Sequence, residues 1–120
     1  MAINPRGADL KRLLVEDPGG PVVMLNLLRF ADGGRPLYAE YARHLSETFL
    51  ERYGAEVLYA GTGSTVLAAE PGQEWDAVLL VRYPHREAFS RMVADPEYQQ
   101  VTSLRTEAQT EAVLQATVPW

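Results

Sequence analysis

Two runs of residues that are apolar on both faces constrain this chain more than anything else in it. One is PVVMLNLLRF, residues 21–30; the other is the VLLV of residues 78–81, inside WDAVLLVRY, residues 75–83. Neither alternates as a half-exposed strand does, and both are too short to span a bilayer. They predict strands covered on both sides. Pro84 has no N–H for a ladder and ends the second strand. A helix then begins near His85, with Ala88, Phe89, Met92 and Val93 on one face. Asp95-Pro96 stops it, Asp95 capping a further turn and Pro96 taking its first helical position.

The remaining elements fall around this pair. Residues 3–16 read as a short helix that Asn4-Pro5 can start, with Leu10, Leu13 and Leu14 on one face. The Asp17-Pro18-Gly19-Gly20-Pro21 turn ends it. Residues 36–53 read as the longest helix, opened by Pro36 and closed by Gly54. Its inward stripe runs through Leu37, Tyr38, Tyr41, Leu45, Thr48, Phe49 and Arg52. Glu40, Arg43 and Glu47 face water, and Leu50 lies opposite the stripe as a candidate intermolecular contact. Residues 55–67 form a second strand that Gly61 and Gly63 bend or bulge. Ser103 can cap a short helix through Gln109, and residues 111–118 form a more polar last strand.

The order is a helix followed by β-α-β-β-α-β. This predicts an α+β, ferredoxin-like fold with the first and third strands central and the second and fourth at the edges. All 120 residues form one domain in this reading, with 1–20 as a helical extension and 21–118 as the core. Both helices of the fold cover one sheet face, so a second copy packed sheet to sheet is expected on the other.

Charge and composition narrow the function. The net charge of −5 argues against nucleic acid and against anionic membrane surfaces, including RNA bound on an open sheet. Without cysteine there is neither a disulfide framework nor a thiolate nucleophile. With two histidines and no ligand cluster, no metal site is expected. The charged N-terminal stretch lacks a signal-peptide core, so a cytoplasmic protein is expected.

Certain tetrads carry a likeness. NLLRF at 26–30, YAEY at 38–41, WDAVLLVRYP followed by EAF, and the DPEY turn resemble the domain-of-unknown-function 1330 family over residues 21–117. That family is similar to the dimeric α+β barrel superfamily. The resemblance implies a ferredoxin-like subunit whose sheet closes a barrel with its partner's. Relatives of this architecture include cofactorless oxygenases of aromatic polyketides, haem-binding enzymes, small isomerases and polyketide cyclases. The family offers no agreed catalytic residues to carry over. Where relatives place a Ser or Thr cap after the strand-ending proline, this chain has His85, which weakens the expected cap.

Six side chains are candidates for a ligand site. Asn26 interrupts a buried strand. Its amide either bonds to neighbouring backbone or points a donor at an oxyanion in a pocket between sheet and helices. Tyr38, Tyr41 and His44 follow each other along the long helix; they are packing residues or, for His44, an acid or base. Arg82 and Arg105 snorkel or anchor an anionic substrate. Trp75 and Asp76 have the same pair of readings, wall or base against edge packing and solvation. No cofactor is expected, although one histidine suffices as an axial ligand for haem. Two functions remain open: a cofactorless enzyme of oxygenase, isomerase or cyclase type acting on a small aromatic or polyketide-like molecule, or a non-catalytic dimeric binding or structural module.

Overall fold

The computed structural model describes residues 4–120. Four antiparallel strands, β1 (Val22–Phe30), β2 (Glu56–Thr62), β3 (Ala77–Tyr83) and β4 (Gln109–Thr117), form one sheet in the order β2-β3-β1-β4. The two runs apolar on both faces are thus its central strands, as their composition demands. Asn26 sits at the middle of β1, opposite Leu79 on one side and Leu114 on the other.

Among the described residues, five α-helices and one π turn complete the fold: α1 (Gly7–Val15), α2 (Gly34–His44), the π turn (Leu45–Phe49), α3 (Leu50–Arg52), α4 (Arg86–Ala94) and α5 (Pro96–Ala108). Helices cover the face bearing Val22, Met24, Asn26 and Leu28, all buried. Val23, Leu25 and Leu27 of β1 and Val78 and Leu80 of β3 point the other way and are half-buried. Among the described residues, no helix is long and apolar enough to cross a membrane.

Four sequence expectations are corrected. The second helix starts at Gly34, not Pro36, and Gly34 packs directly on the backbone of Ala108; a Cβ there would overlap the Ala108 carbonyl oxygen. The π turn inserts one extra residue per turn into the run 34–52 and rotates everything after it. Leu50 therefore turns inward and is 8% exposed, while Arg52 turns out to Asp95 and Glu97. No helix starts at Ser103: α5 runs unbroken from Pro96 with Asp95 as N-cap, its Oδ1 accepting from Glu97 N at 2.9 Å. The bulge in β2 lies between Val57 and Tyr59 rather than at the glycines, and the strand ends at Thr62.

His85 is itself the cap of α4, its Nδ1 accepting from Ala88 N at 3.1 Å. An imidazole here does what a Ser or Thr oxygen would do. The N-terminal helix begins after Arg6, whose backbone N–H is held by the Asp9 carboxylate at 3.0 Å. Ile3, where the sequence started this helix, lies outside the described residues. Arg86 ties α1 down by donating to Leu13 O at 3.0 Å.

Candidate functional site

Between the helix-covered sheet face and the helices lies a cavity of about 190 Å³. Its floor is the sheet: Met24 and Asn26 of β1, Leu79, Val81 and Tyr83 of β3, Leu114 of β4. Its walls come from α2, the π turn, α4 and α5. Leu45, Phe89 and Met92 line these walls without filling the space. Cavities of roughly 150 Å³ accommodate a benzene ring, so the volume suits a single-ring compound.

Four of the six candidate residues meet here: Asn26, Tyr38, Tyr41 and Arg105. They are 8%, 8%, 3% and 4% exposed respectively. Tyr83 and Tyr98, which the sequence reading did not select, complete a ring of four phenols. A parity signal for Tyr83 was available, since it lies two residues from Val81 and so shares its face. His44 and Arg82 do not line the cavity. His44 lies on the flank of α2 and is only half-buried. Arg82 alternates with Val81 and Tyr83, so it projects to the other sheet face, 3.9 Å from Glu56. Trp75 lies under the Arg29 guanidinium at 4.7 Å, and Asp76 Oδ2 accepts from Phe30 N at 2.9 Å. Both are structural.

The hydrogen bonding inside the cavity is uneven. Tyr41 and Tyr98 share a proton-bearing contact of 2.7 Å between their hydroxyls. Arg105 donates to Asn4 Oδ1 at 2.6 Å, and Asn4 donates to Thr106 Oγ1 at 2.7 Å, so the segment before α1 closes one side. Asn26 Nδ2 donates to Met24 O at 3.3 Å. The phenols of Tyr38 and Tyr83 and the Oδ1 of Asn26 have no hydrogen-bond partner among the described residues.

Burial raises the phenol pKa values, and the Arg105 charge opposes it. Tyr38 is pushed up to about 12, Tyr41 well above the usual phenol value, and Tyr83 higher as well. All three are neutral donors at neutral pH. Among the described residues, neither an Asp, a Glu, a Lys nor a His lines the cavity, so Arg105 is its one formal charge. The lining can donate hydrogen bonds and stabilise negative charge. It offers no ordinary proton acceptor such as imidazole or carboxylate. No three His, Cys, Asp or Glu side chains among the described residues gather where a metal ion could sit.

The sequence pattern of a family described as a domain of unknown function (DUF1330) matches residues 30–117, most of the chain. The chain belongs to that family. This DUF1330 protein is similar along its whole length to RPA0582, a Rhodopseudomonas palustris protein of unknown function. The identity is 30%, the match covers 98% of this chain and 96% of that one, and the TM-score is 0.86. The same fold recurs in a Bacteroides fragilis protein described as dimeric and ferredoxin-like, at 10% identity and TM-score 0.55, covering 81% and 94% of the two chains. It recurs again in a candidate antibiotic biosynthesis monooxygenase from Bacteroides thetaiotaomicron, at 19% identity and TM-score 0.61, covering 82% and 89%. No curated protein matches this DUF1330 chain in sequence.

Proposed function

We propose that this DUF1330 protein binds a small, ring-sized organic anion in the cavity between its sheet and helices. One observation carries the reading. Tyr38, Tyr83 and Asn26, each over nine-tenths buried, present polar atoms that meet no partner among the described residues, and they share one cavity with Arg105. A few polar groups placed in an otherwise apolar cavity are what fixes the orientation of a small ligand. A bound anion supplies acceptors for the phenols and lies beside the Arg105 guanidinium. Calorimetric titration with benzoate tests it: saturable binding that Arg105→Met weakens tenfold or more is expected. Equal affinity in that variant would end the reading.

The reading includes a homodimer. Val23, Leu25, Leu27, Val78 and Leu80 form an apolar sheet face that no helix among the described residues covers, and a second copy covers such a face economically. The dimeric ferredoxin-like relative in fold points the same way. Leu25→Glu with Leu80→Glu should give monomers in sedimentation at micromolar concentration. A wild-type monomer at that concentration would remove the dimer.

Turnover is the finer alternative, and donors around a cation favour one kind. A compound that ionises by itself, its oxyanion held by phenols and Arg105, needs no base from the protein. That suits a cofactorless oxygenase, and a candidate antibiotic biosynthesis monooxygenase shares this fold. The reading invokes no cofactor, haem included, since neither histidine lines the site, and it keeps the protein in the cytoplasm. Oxygen uptake with an enolisable aromatic ligand decides between binding and turnover.

A further inference from the structure

From the arrangement around Asn26, we infer that the site selects a ring compound carrying a hydroxyl or N–H donor in addition to its anionic group: a hydroxylated aromatic acid rather than a plain one. This rests on the anion reading above and specifies its ligand. Asn26 is 8% exposed, and its Nδ2 is used on the carbonyl of Met24, two residues back on the same strand. The amide's second N–H remains a donor, and Oδ1 is an acceptor that the sequence reading left out. No described residue donates to it. Its cross-strand neighbours on the cavity floor, Leu79 and Leu114, are apolar and cannot. The phenols, which can donate, and the Arg105 guanidinium line the same cavity, and none of them bonds to Asn26. So the floor offers an amide acceptor and the helix side carries the cation. A ligand that suits both sides has an anionic group toward Arg105 of α5 and a donor toward the sheet.

Such a site rejects the analogue that lacks the donor, because Oδ1 would then be sealed without a partner. The experiment is calorimetric titration of the full chain with the three positional isomers of hydroxybenzoate and the three matching fluorobenzoates. Fluorine keeps the size and removes the donor. At least one hydroxy isomer should bind about tenfold tighter than its fluoro counterpart, and in Asn26→Leu that preference should fall to within about twofold. If hydroxy and fluoro isomers bind alike, or if Asn26→Leu keeps the preference, the inference is overturned while the anion reading stands. If no benzoate of any kind binds, the anion reading fails and this inference fails with it. The hydroxy-to-fluoro comparison uses the unaltered protein, so it decides the matter even where Asn26→Leu does not fold.

Discussion

The phenol of Tyr53 donates to Asp95 Oδ2 at 2.5 Å, coupling the end of the long helical run to the N-cap of α5. Arg52 donates to the same oxygen at 2.8 Å. Together, the Tyr53 bond first, they hold the Asp95 carboxyl at about 2. An aspartate in the unfolded chain titrates near ~4. The folded value is the lower one, so the stabilisation is complete above about pH 4 and drains away as pH falls toward 2. Urea midpoints should drop along that limb, and Asp95→Asn should flatten it. Some slope will persist, because Asp9 is also held at about 2 by Arg6. An identical acid limb in Asp95→Asn would show that the bonds to Asp95 do not contribute.

Gly34→Ala should destabilise the protein, against helix propensity. Ala is the better helix former by about 1 kcal/mol. Here its Cβ would overlap the Ala108 carbonyl, a backbone atom that cannot step aside cheaply. Overpacking of this kind costs roughly 1–3 kcal/mol. A lowered urea midpoint is expected, and an increase would mean that α2 and the end of α5 are further apart than described.

Leu50→Ala separates two readings of the same helix. On an uninterrupted α-helical stripe Leu50 faces outward, and its truncation would change stability by within about 0.5 kcal/mol. With the π turn it lines the cavity, and truncation should cost about 2–5 kcal/mol. A urea denaturation curve tells these apart without ambiguity.

That residue also marks where the sequence stops being readable. Central strands were legible because Val78–Val81 and the residues around Asn26 are apolar on both faces, a pattern that only a central position explains. Asn26, Tyr38 and Tyr41 reached the cavity because strand parity and the first two turns of a helix are local matters. The π turn is not local: LSETF has nothing in its composition that demands an extra residue per turn, and tertiary packing imposes it. Arg82 takes the other sheet face, which a charge near a strand end does not reveal until its parity is compared with Tyr83. The continuation of α5 through Ser103 overrode a cap signal that lacked a preceding break.

His85→Ala should cost about 1 kcal/mol, and His85→Ser close to nothing. The imidazole accepts from Ala88 N, and a hydroxyl at the same position can do so equally. Because His85 is exposed and does not line the cavity, benzoate affinity should be the same in both variants. A parallel loss in His85→Ser would show that the side chain packs as well as caps.

The two kinds of tyrosine in the cavity should respond oppositely to loss of their hydroxyls. Tyr41 and Tyr98 satisfy each other at 2.7 Å, so Tyr41→Phe strands the Tyr98 hydroxyl and should cost about 1–3 kcal/mol. Tyr38 and Tyr83 have no such partner among the described residues, so Tyr38→Phe and Tyr83→Phe should leave stability unchanged or slightly raised. Benzoate affinity should nevertheless fall severalfold in these two, because a ligand oxygen loses its donor. Structural packing alone would give the reverse ordering: the least stable variants would be the poorest binders. Paired urea and calorimetric titrations of the three variants decide it. Stability lost in step with affinity would argue that the cavity is packing space, whereas affinity lost at constant stability would mark Tyr38 and Tyr83 as residues kept for a ligand.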